Sequence, residues 1–207
     1  MLKQRTILLA LALFGVLLLG GCATLKVTPA QTLPTDAVAQ PVKVGVQLAG
    51  DRLRDAVSEP SGSVITAASG TLFRDVVLLA PETRSQTPQE IQATQGVDYI
   101  LSVNISDVMV NGNLNPIWFA SLPLLFFKPY APIVTFEATV TLESSLVDAH
   151  SGTVVMQREI TETATDHFSP VNPGEKVRTL ISRGINNAIV QLLDESRRKV
   201  AGQKPPA

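Results

Sequence analysis

The 207-residue sequence predicts an α/β sandwich, a mixed and largely antiparallel sheet with helices packed on it. Three observations carry that prediction. The long alternating stretch Ile133–Val147 is followed by a turn-like Asp148-Ala149-His150-Ser151-Gly152 and by Thr153–Thr163 as its hairpin partner. Apolar residues recur at three- and four-residue spacing through Val177–Leu193. Between residues 42 and 110, strand-like and helix-like segments alternate.

Val42, Val44, Val46 and Leu48 alternate with Lys43, Gly45 and Gln47, the pattern of a half-buried strand. Ser61–Phe73 carries Val64, Ile65, Ala68, Leu72 and Phe73 at helical spacing and reads as a helix, with Gly70 inside it. Val76–Ala80 is a short buried strand closed by Pro81. Thr87-Pro88-Gln89-Glu90 has a capping Thr, a Pro at the first helical position and a Glu three residues on, which opens a short helix ending near Gly96. Val97–Val110 then reads as a strand with Tyr99, Leu101, Val103 and Ile105 on one face. In Ile133–Val147 one face is apolar and the other rich in Thr and Glu, as in a sheet with one wet side. Asn172-Pro173-Gly174-Glu175 resembles a second capping box, with Asn as the cap, and opens the last helix. Its polar side holds Arg178, Arg183, Asn187, Gln191 and Asp194, and its basic end, Arg197-Arg198-Lys199, complements the helix dipole.

Composition excludes several classes. Seventeen Lys and Arg against 18 Asp and Glu leave no basic footprint for nucleic acid. One cysteine permits neither a disulfide framework nor a Cys-based zinc site, and two histidines make a multi-His metal centre improbable. No Gly-rich phosphate loop and no His-Glu-x-x-His pattern occurs, so no resident cofactor and no enzyme activity are expected. Asp148, His150 and Ser151 contain the residue types of a hydrolase, but turn chemistry accounts for all three. Asp166-His167 reads as a solvated loop pair.

The N-terminus is an address. Lys3 and Arg5 precede the uncharged run Ile7–Leu19, whose 13 residues fall short of the ~20 that a membrane-spanning helix needs. The run ends in Leu19-Gly20-Gly21-Cys22, which resembles the lipobox of bacterial lipoproteins. The resemblance implies that residues 1–21 are removed and that Cys22 becomes the mature N-terminus, carrying a diacylglycerol and an N-acyl chain. Two or more chains anchor stably where one does not. Ala23 stands where an inner-membrane retention signal would place Asp, which implies an outer-membrane address with the domain facing the periplasm. Removing the leader takes two basic residues and no acid, so the mature chain is mildly acidic, with 15 Lys and Arg against 18 Asp and Glu.

After the lipidated cysteine, Ala23–Pro41 holds Pro29, Pro34 and Pro41 with one Lys and one Asp, too little apolar surface to order itself. Residues 22–41 are therefore expected to form a flexible tether, reaching roughly 25 Å as a coil and about 60 Å when extended. The single α/β domain is expected over 42–198, and 199–207 as a disordered tail.

Gly96-Val97-Asp98-Tyr99-Ile100-Leu101 after a short helix, and the hairpin Asp148-Ala149-His150-Ser151-Gly152, resemble motifs of a group of envelope lipoproteins. That group includes curli-secretion lipoproteins, penicillin-binding-protein activators and proteins with a TolB amino-terminal domain. The resemblance implies an anticodon-binding-domain-like fold and a non-enzymatic role in assembly, scaffolding or transport through protein partners, with homo-oligomers among the outcomes. The alternative is a carrier of lipid or a small ligand.

One segment departs from a plain domain. Ile117–Phe127 has no charge in eleven residues, and Ile117–Phe136 holds six of the chain's ten aromatics. Pro123, Pro129 and Pro132 interrupt any regular strand or helix, and the run is too short to span a bilayer. Trp118, Phe119, Leu122, Leu124, Phe126, Phe127 and Tyr130 are the candidate contact residues. Three readings stand open: a loop folded over the domain's own core, an exposed patch that binds a protein partner, or a segment dipping into the bilayer interface.

Overall fold

The computed structural model describes residues 30–49, 60–114, 134–168 and 173–202. The first strand, β1 (Gln40–Ala49), buries Val44, Val46 and Leu48 on one face. Gly45 lies on the other face, where Leu79 packs so closely that a Cβ would meet its Cδ1 at 2.9 Å.

Helix α1 (Pro60–Ala68) is shorter than the expected Ser61–Phe73. Gly70 takes a left-handed φ of +77°, and Leu72 N–H closes the turn on Ala68 O at 2.9 Å. Leu72 and Phe73, whose spacing continues the helical stripe, instead belong to that turn and to the start of β2 (Phe73–Leu78). Both are fully buried, so spacing alone could not separate the two conformations.

A single 3-10 turn, Pro81–Ser85, leads to α2 (Pro88–Gln95). Its start is a complete capping box: Glu90 N–H donates to the Thr87 hydroxyl at 3.3 Å, and Thr87 N–H donates to the Glu90 carboxylate at 2.6 Å. The box predicts that Thr87→Ala lowers stability by about 1 kcal/mol in urea denaturation. The Thr87 N–H, and after it the Thr87 hydroxyl, hold the Glu90 carboxyl below its ordinary value. The Glu90 contribution is thus present above the ordinary carboxylate range and lost as pH falls through the depressed value. Glu90→Gln should flatten this acid limb of the stability profile, and an unchanged limb would refute the box.

Strands β3 (Tyr99–Leu114), β4 (Val134–Asp148) and β5 (Val154–Phe168) form an antiparallel ribbon, and α3 (Pro173–Ala201) closes the fold. The sheet order is β2-β1-β3-β4-β5. β1 pairs in parallel with β2 and β3, and the longer β3–β4 and β4–β5 ladders are antiparallel. This is the expected α/β architecture with a mixed sheet. The main core joins Val46, Leu101, Leu142 and Leu146 of the sheet to Ile65 and Ala68 of α1 and to Ile185, Ile189 and Leu193 of α3. A smaller cluster on the opposite face seats Ile91 of α2 against Leu79, Val97, Ile100 and Ala149.

Five boundaries and placements differ from expectation. β3 runs four residues past Val110, and β5 runs five past Thr163 because Ala164 is still buried under α3. The Asp166-His167 pair therefore lies within a strand. Asp166 pairs with Arg183 at 3.4 Å, and His167 Nδ1 lies 2.9 Å from Thr135 Oγ1. The expected tether is corrected over its second half: Leu33 and Ala37 pack on the main core, and Gln31 N–H donates to Asn187 Oδ1 at 2.8 Å. That bond explains why Asn187, on the polar side by sequence, is 1% exposed. The expected tail 199–207 is likewise corrected at its start, since α3 continues to Ala201 and Val200 is buried, while residues 203–207 lie outside the described residues.

Candidate functional site

Cys22 and the candidate contact residues Trp118, Phe119, Leu122, Leu124, Phe126, Phe127 and Tyr130 lie outside the described residues. What the fold does place is where the segment that holds the contact residues joins the sheet. Leu114 is the register partner of Val134, so residues 115–133 leave and rejoin the sheet at one end of the β3–β4 ladder.

That end is unusual in its exposure. Among the described residues, β1 accompanies β3 as far as the Ala49–Asn104 pair, and beyond it β3 is paired with β4 alone. A half-buried strand alternates between wet and dry residues. In β3, all eight residues from Ser106 to Asn113 are exposed, including Val108, Met109 and Val110 at 38%, 53% and 38%. Sequence reasoning missed this edge, because an apolar triplet inside a strand reads as core. The available signal was the break in alternation at Val108-Met109-Val110.

The opposite end of the sheet is a polar knot. The Asp98 carboxylate accepts from Lys43 N–H at 2.7 Å and lies 3.7 Å from both Arg74 and His150 Nε2. Burial, and then the charges of Asp148 and Asp98, push the Tyr99 phenol above its ordinary value. Asp148 Oδ1 accepts from the N–H groups of His150 and Ser151 at 2.9 and 3.0 Å. Ser151 Oγ accepts from Thr153 N–H at 3.2 Å. Asp148, His150 and Ser151 are thus arranged as a hairpin turn, with the imidazole aimed at Asp98 and not at the Ser151 hydroxyl.

Between these ends, the face of the sheet not covered by α1 and α3 carries an open hollow of about 510 Å³. Ser102, Asn104, Glu143, Ser145 and Glu159 line it. Glu143 and Glu159 are direct cross-strand neighbours, a like-charge pairing that opposes the ladder. Among the described residues, no group of three or more His, Cys, Asp or Glu side chains could hold a metal ion. Among the same residues, no helix is long and apolar enough to cross a membrane.

No protein-family profile matches the chain, and no curated protein matches it. Solved structures resemble it at the level of the fold, and bacterial lipoproteins are among them. A DUF330 protein from Xanthomonas campestris is 13% identical with a TM-score of 0.46, over 86% of this chain and 94% of that one. Uncharacterized lipoprotein B from Nitrosomonas europaea is 12% identical with a TM-score of 0.42, over 84% and 94%. A PelC dodecamer from Paraburkholderia phytofirmans is 18% identical with a TM-score of 0.38, over 76% and 92%. At these identities and scores the likenesses carry no argument about activity or assembly.

Proposed function

We infer that this chain is a non-enzymatic, lipid-anchored protein of the bacterial envelope. It is held in the outer membrane by acyl chains on Cys22, faces the periplasm, and serves assembly, scaffolding or transport through protein contacts. The observation that carries this reading is Leu19-Gly20-Gly21-Cys22 closing a basic and then apolar leader. The exposed apolar residues Val108, Met109 and Val110, in the strand that leads to residues 115–133, support the contact role, because exposed apolar surface marks interaction sites. A carrier of lipid would need an enclosed apolar cavity. The hollow on the described sheet is open and lined largely by polar side chains, which favours the contact role over the carrier.

Two measurements test this. In bacteria fed labelled palmitate, the chain should take up label, and Cys22→Ser should lose it and retain the precursor mass. Label persisting in Cys22→Ser would sink the anchor. Solubilised from membranes, the chain should capture envelope proteins, and the double change Trp118→Ala, Phe126→Ala should reduce that capture to background. An unchanged set of captured proteins would remove the contact role. Co-purified lipid with no captured protein would put the carrier in its place.

A further inference from the structure

We propose that the outer edge of β3 from Ile105 to Asn113 pairs antiparallel with the same edge of a second copy, about a two-fold axis at Met109. The inference deepens the contact role above and rests on it, naming both the surface and its occupant.

An edge strand offers unpaired N–H and C=O groups to any strand that approaches, and proteins guard such edges with charges, prolines or short length. The other two edges of this sheet are guarded. β2 is six residues long and carries Arg74 and Asp75. β5 carries Arg158, Glu159, Glu162 and Asp166 along its length. The distal part of β3 has one charge, Asp107, and no proline or lysine, over about 30 Å of strand. Its side chains are exposed on both faces, so each apolar residue of the Val108-Met109-Val110 triplet still has surface to bury.

Charge and register select the occupant and its direction. In a parallel, in-register pairing of two copies, Asp107 would face Asp107, a like-charge contact that disfavours the arrangement. In the antiparallel pairing centred on Met109, Asp107 faces the uncharged Asn111. The same register sets Val108 opposite Val110, Val110 opposite Val108, and Met109 opposite Met109. All three exposed apolar residues thereby meet apolar partners. A centre at Val110 would place Val108 opposite Gly112 and Met109 opposite Asn111. A centre at Val108 would place Asp107 opposite Met109. Moving the centre by one residue either way, a two-residue change of register, mismatches the triplet, and such matching is what specifies register in a strand. A β5 edge as the occupant would bring its row of charged residues against the triplet. The two-fold pairing also extends the antiparallel β5-β4-β3 ribbon through its copy, so six strands run as one sheet.

The test uses the full chain in bacterial membranes. Directly opposed residues in an antiparallel pair hold their Cβ atoms about 4.5–5.5 Å apart, within a small adjustment of the ~3.8 Å of a disulfide. Met109→Cys should therefore give a dimer on mild oxidation that reductant reverses. Thr163→Cys, exposed on β5, should give none, and the unaltered chain reports any background from Cys22. In detergent, light scattering should find the unaltered chain at twice the monomer mass, and Met109→Lys should halve it with the circular dichroism spectrum unchanged. The pairing is overturned by any of three results: no disulfide from Met109→Cys, equal cross-linking from Thr163→Cys, or an unchanged mass in Met109→Lys. A disulfide from Met109→Cys to a different protein overturns it too, in favour of a foreign strand. A dimer that persists in Trp118→Ala, Phe126→Ala supports the pairing whatever becomes of partner capture, which separates its failure from that of the wider contact role.

Discussion

Leu142→Ala will lower the stability of the domain by about 3–4 kcal/mol, a value set by lost transfer energy and by the cavity left behind. Leu142 is fully buried midway along β4, with Ile105 of β3 and Ile160 of β5 as register partners on either side. It belongs to the packed cluster that joins the sheet to Ile185 and Ile189 of α3. Strands held by ladders on both sides relax little, so the surroundings should not collapse into the gap. Against a typical total of about 5–15 kcal/mol, the loss is large enough to move the urea midpoint well below that of the parent with an unchanged slope. Leu78→Ala is the matched control, since Leu78 is 52% exposed on the edge strand β2. It should shift stability by less than about 0.5 kcal/mol. A Leu142→Ala cost under about 1 kcal/mol would mean that β4 does not sit in the centre of the core as described.

The contrast between these two leucines also marks what the sequence made legible. The last helix was plain, because Leu180, Ile185, Ala188, Ile189, Leu192 and Leu193 follow the helical period and all are buried. The capping box at Thr87 was equally plain, because its chemistry is local. The helical spacing of Ser61–Phe73 reaches past the helix itself, since Leu72 and Phe73 satisfy it while serving a turn and a strand. Asn187 falls on the wet side of the helical pattern, yet it is buried and accepts from Gln31 N–H, a contact between segments far apart in the chain. The lipobox was legible at Cys22 because its signal is contiguous in the chain. The exposed stretch Ser106–Asn113 is marked in the sequence only by the break in alternation at Val108-Met109-Val110, because which described strand lies beside β3, and how far, is set by pairing between segments distant in the chain.

Asp98 is the second residue whose loss should be felt well beyond its own position, and two substitutions separate its roles. Its main chain joins two elements to β3: Asp98 N–H donates to Lys43 O at 2.8 Å, and Asp98 O accepts from Ala149 N–H at 2.9 Å. Its carboxylate adds the 2.7 Å bond from Lys43 N–H and the neighbouring Arg74 and His150. Asp98→Ala keeps the main-chain bonds and strips Lys43 N–H of its acceptor. An orphaned donor costs about 1–3 kcal/mol when buried. Because the Asp98 side chain is 33% exposed, water replaces part of that bond, and a loss of about 1–2 kcal/mol is expected. Asp98→Asn retains a carbonyl oxygen for Lys43 N–H and gives up only the charge. Arg74 is 63% exposed, and ion pairs of that kind are worth little, so the amide should cost less than about 1 kcal/mol. Urea denaturation of both variants, with hydrogen exchange at the Lys43 amide, reads the order directly: faster exchange in Asp98→Ala and near-parent exchange in Asp98→Asn. Both should also let the Tyr99 phenol titrate at lower pH, because one of the charges that raise it is gone. Equal losses in the two variants would assign the stabilisation to the ion pairs, and the hydrogen bond to β1 would no longer explain why the hairpin turn, β1 and β3 meet at this residue.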